Sequence, residues 1–332
     1  MKNKIIKITL LVLVGSMSMM ACKKVQDGFL SSYVRYEEFP IEIPQGRAFV
    51  SSALNPDGSA KPMDVKLTAV YNVGTGENVT EMFLEKFEIP VWTGLYDPKV
   101  DTTLDLINTK RKDSLVYPIS INPQSGQLEA NYATINLPTG SYEFDLEVTN
   151  SAGTKQYPKI GQFNLNEAPY FEVPAVRSTV AMKVGEETTT KLLPAGRIEV
   201  ERIGEDENKI IVSIVDENGN AFNPKEGEIG RRPLGGTAAG WLQTMQDYSL
   251  SYGALDDRME FTYGVVPFPL NSLGNGFNYY YRIPTEYVKF DEGLQLPDNQ
   301  YSLNVRFAFR AFLPGTYKVT VIVDGATRKD AN

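Results

Sequence analysis

Two segments of this 332-residue chain alternate apolar and polar side chains strictly, each behind a turn built on proline and glycine. Leu137-Pro138-Thr139-Gly140-Ser141 leads into Tyr142, Phe144, Leu146 and Val148 on one face, with Glu143, Asp145 and Glu147 on the other. Leu313-Pro314-Gly315-Thr316 leads in the same way into Tyr317, Val319, Val321 and Val323. A period of two cannot keep an apolar stripe on a helix, where the same face returns only about every 3.6 residues. It fits a strand in a sheet with one packed and one wet face.

The rest of the chain follows suit. In the first half, strands are expected at Arg47 to Ser52, Val65 to Asn72, Lys86 to Trp92, Leu115 to Ile121, Leu128 to Thr134 and Gly161 to Leu165. The second half adds Thr179 to Val184, Ile198 to Ile203, Ile210 to Val215, Met259 to Val265, Tyr279 to Ile283 and Leu303 to Phe309. Turns such as Asn55-Pro56-Asp57-Gly58 separate them. Two short stretches read as helical, Thr103 to Lys112 and Ala238 to Tyr248. The chain is longer than one core holds, about 250–300 residues, and the run from Ala168 to Pro174 continues neither pattern. The expectation is an all-β protein with two β-sandwich domains in tandem, residues 45–168 and 169–332. A glycine-led tyrosine entering a late strand is similar to the late strands of immunoglobulin-like and fibronectin-like sandwiches.

Ahead of these domains, residues 1–21 are laid out as an export signal. Lys2, Lys4 and Lys7 precede an apolar run from Ile8 to Val14, and small residues lead up to Ala21. The chain's only cysteine, Cys22, follows directly. In a bacterial lipoprotein the residue after the cut must be a cysteine, because its thiol receives the lipid. Cys22 is therefore the expected lipidation site, and residues 22–44 the tether between membrane and first domain. The apolar run is too short for a stable span, which takes about twenty residues. Each buried methylene contributes about 0.8 kcal/mol, so several acyl chains hold a protein at a membrane.

Composition narrows the chemistry by what it lacks. The chain has no histidine and no cysteine besides Cys22. That excludes Ser-His-Asp and Cys-His centres, structural zinc sites and disulfides, and no cofactor or metal is expected. Acid-base catalysis would rest on shifted carboxylates, lysines or tyrosines. A carboxylate-based glycoside hydrolase would need two carboxyls about 5 to 9 Å apart, usually from distant parts of a chain. The net charge of −8 argues against nucleic acid as a partner. Asp216-Glu217-Asn218-Gly219-Asn220 carries oxygens at calcium-like spacing, yet it lacks the late bidentate acid and reads first as a hairpin turn.

One binding chemistry does emerge from the residues. Saccharides are held by flat aromatic faces against sugar C–H surfaces and by planar polar groups on the hydroxyls. The stretch from Tyr248 to Tyr301 is rich in tyrosine. In Tyr279-Tyr280-Tyr281-Arg282, read as a strand, Tyr280 and Arg282 share one face while Tyr279, Tyr281 and Ile283 share the other. With the second set in the core, Tyr280 and Arg282 become an exposed stacking and hydrogen-bonding pair. The competing reading is that these rings simply pack. Trp241 and Trp92 are further candidates, each equally suited to anchoring a core, and Tyr96 follows Trp92 in the same loop.

The order Cys22-Lys23-Lys24, then Gly28-Phe29-Leu30-Ser31, Gly46-Arg47, Pro90-Val91-Trp92-Thr93 and Thr109-Lys110-Arg111-Lys112 resembles a family of uncharacterised Bacteroidota lipoproteins. Trp241 and Val266-Pro267-Phe268-Pro269-Leu270 carry the resemblance into the second half. Members tend to be encoded beside outer-membrane glycan uptake systems of the starch-utilisation type. The resemblance implies a non-catalytic lipoprotein of the outer membrane, binding a glycan or nutrient or docking to the transporter complex. A structural or adhesive cell-surface lipoprotein is the alternative. Lys23 to Asp27 hold a single acid, which leaves both faces of the outer membrane open.

Overall fold

The computed structural model describes residues 28–175, 177–234, 240–272 and 274–329. The export signal, Cys22 and the start of the tether lie outside the described residues. So do 235–239, where a helix from Ala238 was expected to begin. The protein is all-β, with one buried apolar cluster in each of two compact units.

The first unit comprises 28–89 and 114–168 of the described chain. Its strands are β1 (Ile41–Pro44), β2 (Phe49–Val50), β3 (Asp64–Asn72), β6 (Ile119–Ile121), β7 (Leu128–Ala130), β8 (Gly140–Asn150) and β9 (Gly153–Asn166), while β4 (Phe87–Trp92) and β5 (Arg111–Val116) each run across the division between the units. One sheet has the order β1-β9-β8-β3 and a second the order β2-β7-β6, while β4 and β5 pair as a separate ribbon. The alternation in β8 is realised as written: Tyr142, Phe144, Leu146 and Val148 are buried, and the three acids between them are partly exposed. Phe83, from the short helix α1 (Thr80–Leu84), meets Tyr142 and Phe163 edge-on at 4.9 and 5.6 Å. Val34, Tyr36, Ile41 and Ile43 also enter this core, and β1 runs parallel to β9. Residues 28–44 are thus built into the sandwich, not strung ahead of it as a tether; Ile41-Glu42-Ile43 is too short an alternation to announce a strand.

The second unit comprises 90–113 and 169–329 of the described chain. Its strands begin with β10 (Phe171–Glu172), β11 (Ser178–Lys183), β12 (Glu186–Leu192), β13 (Arg197–Gly204), β14 (Lys209–Val215), β15 (Gly230–Arg231) and β16 (Ser251–Ala254). They continue with β17 (Met259–Thr262), β18 (Asn278–Ile283), β19 (Val288–Phe290), β20 (Tyr301–Ala308), β21 (Arg310–Ala311), β22 (Thr316–Ile322) and β23 (Ala326–Arg328). Two five-stranded sheets, β12-β11-β20-β18-β15 and β13-β22-β14-β17-β16, bury their apolar faces in one core. Leu303, Val305 and Phe307 of β20 meet there with Ile210, Val212 and Ile214 of β14 and Tyr317, Val319 and Val321 of β22.

The paired turns have the same internal logic in both units. The Tyr142 hydroxyl donates to the Pro138 carbonyl and the Tyr317 hydroxyl to the Leu313 carbonyl, each at 2.8 Å and each four residues back. This is the tyrosine corner of immunoglobulin-like sandwiches.

Some expected elements change shape. Pro118, which has no N–H to give a ladder, divides the Leu115 to Ile121 segment into the end of β5 and β6. Leu128 to Thr134 stops at Ala130, where the Asn131 side chain accepts from Ala133 N and starts a single 3-10 turn. From residue 240 onward, the expected helix to Tyr248 contributes only the turn Met245–Asp247. Asp247 holds that turn from both sides, accepting from Thr244 N at 2.7 Å and pairing with Arg231.

Candidate functional site

Residues 93–110 leave the end of β4, form a loop and the short helix α2 (Leu104–Thr109), and return into β5. Thr103 caps α2, its hydroxyl accepting from Leu106 N at 3.3 Å. Ile107 is the helix's buried residue. It seats against Gly264, where a Cβ would stand 2.7 Å from Ile107 Cδ1 and 3.6 Å from Leu104 Cδ1. The loop before the helix is closed by Asp101, whose Oδ2 accepts from Asp97 N at 2.7 Å and from Lys110 Nζ at 2.8 Å. The Asp97 N–H first, and then Lys110, hold this carboxyl below the usual carboxylate range. Asn271 Nδ2 donates to the Tyr96 carbonyl at 3.4 Å.

This frame presents a small aromatic group. The Trp92 and Tyr96 rings lie 5.7 Å apart at an interplanar angle of 53°, and the Arg111 guanidinium sits 5.6 Å from the Trp92 ring. Trp92 remains 37 % exposed and Leu95 91 %. Arg111 Nε is shielded and has no hydrogen-bond partner. Burial pushes the Tyr96 hydroxyl up, with Asp101 and Asp97 adding to the shift. Two candidates separated by three residues in sequence are thus brought together. Arg111, which no residue-level signal had singled out as a ligand, completes the group.

Trp241 is 60 % exposed and lies in a turn-back in which Leu242 N donates to the Arg232 carbonyl at 2.9 Å. It is therefore not a core anchor.

The pair Tyr280 and Arg282 needs correction. The face assignment holds, since Tyr279, Tyr281 and Ile283 all lie in the core. Tyr280, however, is only 9 % exposed and is not an open platform. The strand β15 and the chain beyond it explain this: Arg231 pairs with Tyr281, Tyr280 N donates to the Gln243 carbonyl at 3.0 Å, and the Arg232 guanidinium lies 5.7 Å from the Tyr280 ring. Arg282 is itself held, its Nε donating to Asn304 Oδ1 at 3.2 Å and its Nη1 lying 3.6 Å from Glu187.

The buried carboxylates of the described residues are Asp101, Asp216 and Glu228, and each is committed to structure. Asp216 accepts from Asn218 N, Asn220 N, Asn220 Nδ2 and Arg328 N at 2.8 to 3.1 Å. Burial by itself would raise its pKa, yet these bonds outweigh it and the carboxyl ends below its ordinary value. The expected turn is therefore tied around its own first acid; no grouping of three acids suited to a metal occurs among the described residues. Glu228 takes a two-pronged bond from Arg328, at 2.7 and 2.6 Å. The Asp101 and Asp216 carboxyls, both held below their ordinary values, are the opposite of what a glycosidase's general acid requires.

The chain matches no protein-family model and no curated protein. Among solved structures it is similar to a SusE-like surface-located polysaccharide-binding protein from the heparin utilisation locus of Bacteroides thetaiotaomicron. The identity is 10 %, the TM-score 0.24, and the match covers 88 % of this chain and 53 % of that one, so this chain spans about half its length. A likeness that low leaves both fold and ligand to be argued from the residues.

Proposed function

We propose that this chain is a non-catalytic, lipid-anchored binding protein of the outer membrane that holds a saccharide on Trp92, Tyr96 and Arg111. The observation that carries this reading is the accessible Trp92 ring beside Tyr96 and Arg111 on a loop tied down by Asp101 and Gly264. Aromatic faces take the C–H surfaces of a sugar ring, and a guanidinium fork takes its hydroxyls. Trp241 is an independent candidate contact, and Arg282 no longer belongs to the saccharide platform because Tyr280 beside it is buried. Anchoring at Cys22 and a place beside an outer-membrane uptake system follow from the export signal and the resemblance given above. Cys22→Ala is expected to release the protein from membranes washed with carbonate; retention in the pellet removes the anchor.

A glycan-array screen of residues 23–332 tests the binding reading. The expected result is a saturable hit lost in Trp92→Ala with the melting temperature unchanged. A blank across plant, host and microbial glycans, or a hit indifferent to Trp92→Ala, overturns it. A second reading, docking to a protein of the uptake complex, rests on the exposed Leu95, Val100 and Leu104 of the same loop. Leu95→Asp would then abolish crosslinking in the membrane and leave saccharide binding intact.

A further inference from the structure

On the face of β18 and β20 that turns away from the core, three arginines gather with little acid to balance them. Arg306 of β20 is the cross-strand partner of Tyr280, and Arg282 of β18 is the cross-strand partner of Asn304. Arg231 pairs with Tyr281 at the end of β15, so the next residue, Arg232, arrives opposite Tyr280 and places its guanidinium 5.7 Å from that ring. Burial chiefly, and then repulsion from Arg282 and Arg306, lowers the Arg232 pKa, while Tyr280 opposes the shift. Glu187 lies 3.6 Å from Arg282 Nη1. Asp247 is taken by Arg231. Arg232 Nε, Arg282 Nη2 and Arg306 Nε are each shielded from solvent and without a hydrogen-bond partner. The side chains themselves are only half-buried, so an incoming group can reach the outer ends of the forks.

Like charges held together in a partly dry environment repel, and a shielded N–H without a partner is costly. A folded chain of net charge −8 that keeps such a cluster has an arrangement suited to an anion. We infer that Arg232, Arg282 and Arg306 form an oxyanion-binding site, separate from the Trp92 group, that takes a sulfate ester or carboxylate carried on a saccharide, or the free inorganic ion. Asn304 and Glu187 steady Arg282, and Tyr280 supports Arg232 from below; neither role needs Tyr280 to touch the ligand. The inference does not depend on the Trp92 reading.

The test is calorimetric titration of residues 23–332 with a sulfated oligosaccharide, a carboxylated one, the neutral oligosaccharide of the same backbone, and sodium sulfate. The expected result is binding of the charged ligands over the neutral one, weakened about tenfold or more in Arg306→Gln and in Arg232→Gln, the scale of a charge-assisted bond. Sodium sulfate binding as tightly as the sulfated saccharide identifies the free ion as the ligand; much weaker binding identifies the saccharide-borne group. Equal binding of charged and neutral ligands, or charged-ligand binding indifferent to both substitutions, overturns the inference. Should Arg232→Gln fail to fold, Arg232→Lys keeps the charge and removes the fork, and the same weakening is expected.

Discussion

Trp92 and Tyr280 each lie against an arginine at nearly the same separation, 5.6 Å to Arg111 and 5.7 Å to Arg232, yet one ring is open and the other closed. Their neighbours make the difference. Trp92 ends a strand of a two-stranded ribbon, so the chain beyond it is loop and short helix. Tyr280 lies on β18, between β20 and β15 of a five-stranded sheet, with the Gln243 carbonyl accepting from its N–H and the Arg232 guanidinium against its ring. An aromatic beside an arginine is therefore a platform at the end of a ribbon and a packing element inside a sheet. The chemistry of the pair is the same, and only the number of flanking strands separates the two outcomes.

The sharpest way to break this comparison is to truncate both rings. Tyr280→Ala is expected to cost about 3–5 kcal/mol of unfolding free energy, as for a buried aromatic, whereas Trp92→Ala should stay within about 1 kcal/mol of the parent. Chemical denaturation of both variants decides it, and equal losses would show that Trp92 is packed as Tyr280 is.

A smaller effect is expected at the seat of α2. Gly264→Ala puts a methyl 2.7 Å from Ile107 Cδ1, an overpacking that typically costs about 1–3 kcal/mol. Limited proteolysis should then cut within 90–113 first, while the chain around Tyr280 stays protected.

Acid should separate the two regions next. The Asp101 carboxyl titrates lower folded than unfolded. Its contribution is therefore complete above the unfolded value of about 3.9 and is lost as pH falls through the folded value. Below about pH 4 the 97–101 loop should loosen before the Tyr280 region does, seen as a change in Trp92 emission with Trp241→Phe as background. Asp101→Asn should abolish that step; a step that survives it would come from another group. The smallest effect is expected for Arg111→Lys, which trades a stacked guanidinium for an ammonium and should cost about 0.5–1 kcal/mol. Affinity for a neutral saccharide should fall with it, whereas Arg282→Lys should leave that affinity alone.

Much of the second sheet system could be read residue by residue, and the reasons are visible in the exceptions. β20 and β22 alternate large apolar residues with smaller or polar ones, so their core faces were plain. β12, Glu-Glu-Thr-Thr-Thr-Lys-Leu, is an exposed edge strand with no apolar face to display a period. The parallel pairing of β14 with β22 joins segments that lie far apart in the chain, and neither carries a local mark of it. At the candidate sites, Trp92 and Tyr96 could be named because they share a loop. Arg232 and Arg306 could not be gathered with Arg282, since three strands distant in sequence must first be set side by side.

By itself the sequence determined the fold class, the inward faces of β8, β20 and β22 and the turn-led tyrosines that open β8 and β22, because these depend on spacing of two residues along one chain. Tertiary structure alone decided which aromatics stay open, why Tyr280 closes, and where arginines collect. Exposure and electrostatic environment depend on what the rest of the chain places within a few ångströms, and no local period records it.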